Sequence, residues 1–158
     1  MRTVDQWLNE YGDSHRNPTN KSLHWVCVPA ILWCVLGLLW ITPFPAAIRE
    51  TLPLANWATV VVAAGFVYYL LLSLPLALGI LPVLLLMLWS LDALSRISRV
   101  PLWSIFTGLF VLAWIGQFIG HAIEGKRPSF FKDVQFLMIG PLWLAADVYR
   151  RLGARVVA

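Results

Sequence analysis

The chain has little charge and little cysteine for its length. Only 13% of its 158 residues are charged, whereas 59% are hydrophobic, and a soluble domain of that composition would leave much apolar surface in water. Its two cysteines, Cys27 and Cys34, lie about 10 Å apart along a helix, so no disulfide is expected between them. The first 23 residues lack the apolar stretch of a cleavable signal peptide. We therefore expect the N-terminus to be retained and a bilayer to be the solvent.

Two further absences narrow the possible partners. The formal net charge is only +4, and the basic residues lie in short segments between apolar blocks rather than in one patch. That distribution argues against a nucleic-acid partner. The sequence also has no glycine-rich motif that would cradle phosphates, so no nucleotide cofactor is expected. Membrane lipid is the partner that the composition favours.

The apolar residues form blocks long enough to cross a membrane, which takes about 18 residues or more. The block from Trp57 to Leu91 has 35 residues without a charge and is interrupted near Ser73 and Pro75, so it predicts a helical hairpin. The last apolar stretch, 134–147, is short for a crossing. We predict an all-α integral membrane bundle of about four transmembrane helices plus a short C-terminal re-entrant or interfacial helix. The single domain then has spans near 24–41, 57–72, 76–91 and 101–120.

The segment 1–23, before the first span, is predicted to hold its own short helix. Thr3 and Gln6 have the spacing of a capping box, which would open a helix that runs to about Tyr11. Pro18 lacks a backbone donor and restricts the residue before it, so it interrupts the chain. A second helix can then begin near Thr19 or Asn20.

The distribution of Lys and Arg predicts the orientation. With four spans, nine of the twelve basic residues fall on the side that holds both termini. Such residues accumulate on the cytoplasmic side of membranes, so both termini are predicted to be cytoplasmic. The short loops favour a bacterial inner membrane, with the endoplasmic reticulum as the equivalent site in a eukaryote.

This topology gathers the only three histidines of the chain at one membrane face. His15 and His24 precede the first span, and His121 ends the fourth. The break at Pro18 allows the chain to fold back so that His15 faces His24, while Asn20 lies one turn before His24 and could orient its ring. Three neutral imidazoles could hold either zinc or ferrous iron.

Several polar residues near the histidines are candidates for chemistry. Gln117 and Glu124 share one helical face with His121 if the fourth span continues past it. Glu124 could be a ligand, a base or a partner of a ligand, and Tyr11 and Gln117 are further candidate catalytic groups. Lys126 and Arg127 could bind a substrate carboxylate, although ordinary cytoplasmic positive charges would look the same.

Two segments of the chain resemble signatures of the 2-hydroxy fatty acid dioxygenase family, which includes an enzyme of phytosphingosine degradation in fungi. One is Tyr11-x3-His15-x-Asn17-Pro18-x-Asn20-x3-His24-x4-Pro29, and the other is Gln117-Phe118-Ile119-Gly120-His121 followed by Glu124, Lys126, Arg127 and Pro128. The resemblance implies an iron-dependent membrane enzyme that uses O2 to shorten a 2-hydroxy fatty acid by one carbon. It implies Fe2+ on His15, His24 and His121. Asn17 and Asn20 are predicted to support these ligands.

Two other functions fit the residues. A zinc-dependent membrane lipid hydrolase would also use three histidines, with Glu124 as a possible base for a bound water. A noncatalytic lipid-binding scaffold would carry the same histidines merely as solvated interfacial residues. Metal identity and oxygen dependence distinguish these alternatives from the dioxygenase.

Overall fold

The computed structural model of the chain describes residues 3–125 and 130–153, without the side chains of 130–136. All regular secondary structure in these residues is helical. In chain order the helices are α1 (Val4–Gly12), α2 (Pro18–Ile41), α3 (Ala46–Thr51), α4 (Trp57–Leu72), α5 (Leu74–Ile97), α6 (Leu102–Glu124) and α7 (Phe130–Arg151).

Helices α2, α5 and α6 are long and apolar enough to cross a membrane, and α4 is a shorter apolar helix of 16 residues. Trp57 at the start of α4 donates a hydrogen bond to the Pro43 carbonyl, just past the end of α2, with an Nε1–O distance of 2.9 Å. The predicted all-α membrane bundle is confirmed.

The most extensive helix contact joins α2 to α6. Glycines make the close approach possible, because a Cβ on Gly37 would overlap the Phe106 ring and one on Gly120 would overlap the Asn20 side chain. Small residues bring helix backbones together in this way in membranes, where the hydrophobic effect between helices is weak. These pairings make the helices antiparallel, so the beginning of α2 lies beside the end of α6.

The hairpin predicted in the long apolar block is present. A single extended residue, Ser73 (φ −166°, ψ 112°), separates α4 from α5. Helix α5 continues six residues beyond the predicted limit of 91 and ends at Ile97. The extension carries an ion pair along its surface, since Arg96 Nε lies 2.9 Å from an oxygen of Asp92, one turn earlier.

Helices α1 and α7 pack together at the end of the bundle that holds the start of α2. The capping box between Thr3 and Gln6 is present and opens α1, as predicted. Its buried residues are Val4, Leu8 and Tyr11, and α1 contacts α7. Helix α7 is continuous over 22 residues, longer than the predicted 134–147, and also contacts α2 and α5. Its re-entrant or interfacial position in the membrane stays a prediction.

Candidate metal centre

The turn between α1 and α2 is shaped by the cap of α2. The Asn17 side chain accepts hydrogen bonds from the backbone amides of Thr19 and Asn20, and Pro18 occupies the first helical position, where its missing N–H costs nothing. The helix therefore begins one residue before the predicted Thr19. The turn that ends at this cap carries His15 and brings it close to His24 of α2.

Helix α6 continues far enough to bring its polar residues onto one face, as predicted. It ends at Glu124 and is capped by Gly125, whose φ of +72° lies in the left-handed region that favours glycine. Gln117 and His121 are buried on this helix, and Glu124 in its last turn is half-buried.

The three histidines form one buried cluster. His15, His24 and His121 expose only 3%, 2% and 9% of their surface. The ring centroid of His15 lies 4.1 Å from that of His24 and 5.6 Å from that of His121, and the centroids of His24 and His121 are 5.3 Å apart. The predicted meeting of all three at one end of the bundle is therefore observed.

Backbone carbonyls orient two of the imidazoles. Nδ1 of His15 lies 2.6 Å from the Tyr11 carbonyl oxygen, and Nδ1 of His24 lies 2.9 Å from that of Asn20. A carbonyl oxygen only accepts, so each Nδ1 must carry the proton and each Nε2 keeps the lone pair that binds a metal. Asn20 thus orients His24 as predicted, through its backbone carbonyl rather than its side chain.

The donor set fits a divalent metal ion. One potential ligand atom from each histidine can be chosen so that all three lie within 4.8 Å of one another. Metal–nitrogen bonds are about 2.0–2.1 Å long, so two donors to one ion are at most about 4.2 Å apart. Ring movements on the order of 1 Å would bring three nitrogens around one ion. Imidazole suits both iron and zinc, so the geometry does not choose between them.

Glu124 fastens the end of α6 to the turn that carries His15. One carboxylate oxygen accepts a hydrogen bond from the Arg16 backbone amide at 2.9 Å, and the other accepts from the Asn17 amide at 2.9 Å. The second oxygen also accepts from the Asn20 side chain at 3.0 Å. Both oxygens are thus engaged by the turn and by the first turn of α2.

Asn20 is the central connection in this network. Its side chain is completely buried and donates to the Ser14 carbonyl at 3.1 Å as well as to Glu124. The network therefore links the turn, α2 and α6 through one residue. Its long-range partners depend on how α2 meets α6, which no local spacing specifies.

Aromatic and amide groups surround the imidazoles. The Tyr11 ring stacks on His15 with centroids 4.2 Å apart and planes within 9°. Trp143 of α7 contributes a ring 5.5 Å from His15, which sequence reasoning missed because nothing distinguishes it from other tryptophans of the chain. Gln117 is buried one helical turn before His121 on α6. The two residues predicted to bind a carboxylate, Lys126 and Arg127, lie outside the described residues.

Comparison with known proteins agrees with the two sequence signatures. Residues 1–152 match the model of the family described as 2-hydroxy-palmitic acid dioxygenase Mpo1-like. The chain is also 32% identical over 152 residues to the 2-hydroxy-palmitic acid dioxygenase MPO1 of Saccharomyces cerevisiae, an alignment that covers 92% of this chain and 79% of the yeast protein. No solved structure matches it. The chain belongs to the Mpo1-like family.

Proposed function

We propose that this protein is an iron-dependent dioxygenase of fatty acid alpha-oxidation. Its substrates would be a 2-hydroxy fatty acid and O2, and its product the fatty acid that is one carbon shorter. The observation that carries the proposal is the cluster of His15, His24 and His121, buried at one end of a membrane bundle. The name of the yeast relative, a 2-hydroxy-palmitic acid dioxygenase, supports the substrate class.

The reaction balances without a reducing co-substrate. A 2-hydroxy acid and O2 give the shortened acid, carbon dioxide and water: the bond between C1 and C2 breaks, C2 is oxidised to a carboxyl carbon, and O2 is fully reduced. A protein with this activity needs no nucleotide-binding site, in agreement with the absence of a phosphate-cradling motif.

The histidines would bind the metal, and neighbouring backbone carbonyls would orient two of their rings. His15, His24 and His121 would hold Fe2+ through neutral imidazoles, and bound iron would supply open coordination positions and redox capacity for the hydroxy acid and O2. The carbonyls of Tyr11 and Asn20 fix the proton of two rings on Nδ1. This leaves Nε2 as the donor atom of both.

We assign Glu124 and Asn17 to positioning the turn rather than to the chemistry. Both oxygens of Glu124 accept hydrogen bonds from the turn and the first turn of α2, and Asn17 caps that helix. Tyr11 would hold the His15 ring by stacking, and Gln117, buried one turn before His121, would orient the imidazoles. Groups of this kind typically contribute a factor of about 10–100 to metal affinity.

The carboxylate of the substrate would be held by Lys126 or Arg127, which follow the end of α6 in the sequence. The excess of Lys and Arg on this side of the bundle supports a cytoplasmic site and cytoplasmic termini, in a bacterial inner membrane or the endoplasmic reticulum. Membrane lipid surrounds the apolar helices.

The test measures the stoichiometry of the reaction with detergent-purified protein loaded with Fe2+. A 2-hydroxy fatty acid labelled with 13C at C1 should release labelled carbon dioxide, with one O2 consumed and one shortened acid formed per molecule. If the purified protein contained zinc, hydrolysed lipid and took up no oxygen, the zinc-dependent hydrolase would be established instead. Absence of bound metal and of turnover would leave the lipid-binding scaffold.

A further inference from the structure

A second feature at the same end of the bundle is an apolar groove between α2, α5 and α7. Its volume is about 420 Å³, within the range of roughly 300–1,000 Å³ that small-molecule sites occupy. Aliphatic side chains from all three helices form its walls. They include Val28 and Leu32 of α2, Val83 and Met87 of α5, and Leu144 and Val148 of α7.

One end of this groove lies beside the histidine cluster. Val28 forms part of its wall and lies one helical turn after His24, on the same face of α2. Helix α7 passes closely here, because a Cβ on Gly140 would lie 3.1 Å from Val28 and 3.2 Å from the Tyr11 hydroxyl. The wall of the groove is thus continuous with the aromatic residues that pack on His15.

The end of the groove at Leu32 and Met87 lies near a hydrogen bond between α2 and α5. Trp33 follows Leu32 on α2 and Ser90 follows Met87 by three residues on α5, and the Trp33 indole donates a hydrogen bond to the Ser90 hydroxyl with a 2.8 Å separation. This bond ties α2 to α5 near the two lining residues. Eight residues separate His24 from Leu32, which corresponds to about 12 Å along the helix.

We propose that this groove holds the alkyl chain of the 2-hydroxy fatty acid, with the methyl end against Leu32 and Met87. The inference rests on the proposed function, since it requires a substrate whose polar head reaches the histidines. A chain that enters from lipid gains little apolar burial, because lipid tails are equally apolar. The groove therefore selects by fit, and the contact between α2 and α5 near Leu32 and Met87 limits chain length.

The adjacent residues Met87 and Leu86 provide a matched pair of variants. Met87 lines the groove, whereas Leu86 is 60% exposed on the outside of α5 and is not one of the lining residues. Met87→Trp should lower kcat/KM for long-chain 2-hydroxy acids by at least about tenfold relative to short-chain ones, because a single methylene in a hydrophobic pocket already discriminates by about 10–200-fold. Leu86→Trp should keep the wild-type chain-length profile.

Iron content, measured in both variants, should equal that of the wild type. A wild type without oxygen uptake on any 2-hydroxy acid would overturn the proposed function. A wild type with uptake, combined with identical profiles for Met87→Trp and Leu86→Trp, would overturn the groove assignment alone.

Direct labelling separates the substrate from an ordinary lipid chain. A 2-hydroxy fatty acid with a photoreactive diazirine near its methyl end should cross-link to the segments around Leu32 and Met87. Unlabelled 2-hydroxy acid should displace the probe, whereas phosphatidylcholine in excess should not. Cross-links elsewhere, or displacement by phosphatidylcholine alone, would contradict the proposal.

Discussion

The two ends of the bundle bury different kinds of residue. At the end away from the histidines, a cluster of Cys34, Leu36, Ala58, Leu91 and Phe106 is apolar throughout. The buried polar residue near it, Asn56, caps α4. At the other end, five polar side chains are buried together: His15, Asn20, His24, Gln117 and His121.

This difference distinguishes buried polar side chains that folding requires from those that a functional site requires. A helix terminus needs a cap, and Asn56 with Thr59 supplies one. Moving polar side chains out of water costs free energy, and none of the three buried imidazoles caps a helix. The histidine end therefore carries side chains that the architecture does not need.

The largest effect is expected from removing a histidine. His15→Ala, His24→Ala and His121→Ala should each lower oxygen consumption with a 2-hydroxy fatty acid by more than about 100-fold, since loss of a ligand exceeds loss of its supporting hydrogen bonds. Oxygen-electrode assays at matched protein concentration measure this. A variant that keeps more than a tenth of the wild-type rate would show that its histidine is not a ligand.

A smaller effect is expected from a carboxylate that supports the ligands. Glu124→Gln should weaken iron binding by about 10–100-fold, because the new amide group would face the backbone N–H donors of the turn. Asp92→Asn at the opposite end removes only an exposed ion pair with Arg96 and should leave iron affinity unchanged.

Anaerobic competition with a coloured chelator measures both affinities. Loss of turnover in Glu124→Gln at unchanged iron affinity would identify Glu124 as a catalytic base, contrary to the positioning role.

Two glycines of α6 test the close approach of α2. Gly120→Ala should lower stability by about 1–3 kcal/mol, because its Cβ would overlap Asn20 and displace the network above it. Gly108 has no atom within 4 Å of its Cβ position, so Gly108→Ala should not destabilise the protein. Thermal unfolding in detergent compares them, and equal melting temperatures would show that α6 can shift without cost.

The smallest effect is expected from a substitution at the end of the bundle away from the histidines. Asn56→Ala should lower stability by about 1 kcal/mol through loss of the cap of α4. Iron content and turnover of the folded protein should stay at wild-type values. A loss of iron in this variant would contradict the separation between the two ends.

Local signals accounted for the elements of this fold. The capping box at Thr3 and Gln6 and the hairpin at Ser73 depend on residues close in sequence, and both are observed. Counting spans was also enough to place the three histidines at one end. The continuous length of α7 was missed because its apolar stretch is interrupted by Gly140 and Pro141, yet packing against α1, α2 and α5 accompanies an unbroken helix.

Long-range contacts could not be predicted in the same way. The role of Glu124 depends on amides more than 100 positions away, and Trp143 reaches His15 only because α7 packs against α1 and α2. The groove likewise needs three helices that are distant in sequence. These features depend on which helices pack against each other. The hydrophobic pattern of a single sequence does not specify those partners.

The most direct test of the account is the iron content of anaerobically purified protein, wild type beside His15→Ala, His24→Ala and His121→Ala, with Asn56→Ala as the control from the far end. We expect about one iron per chain in the wild type and in Asn56→Ala, and loss of iron from all three histidine variants. Equal iron in the wild type and the histidine variants, or zinc in place of iron in the wild type, would contradict it.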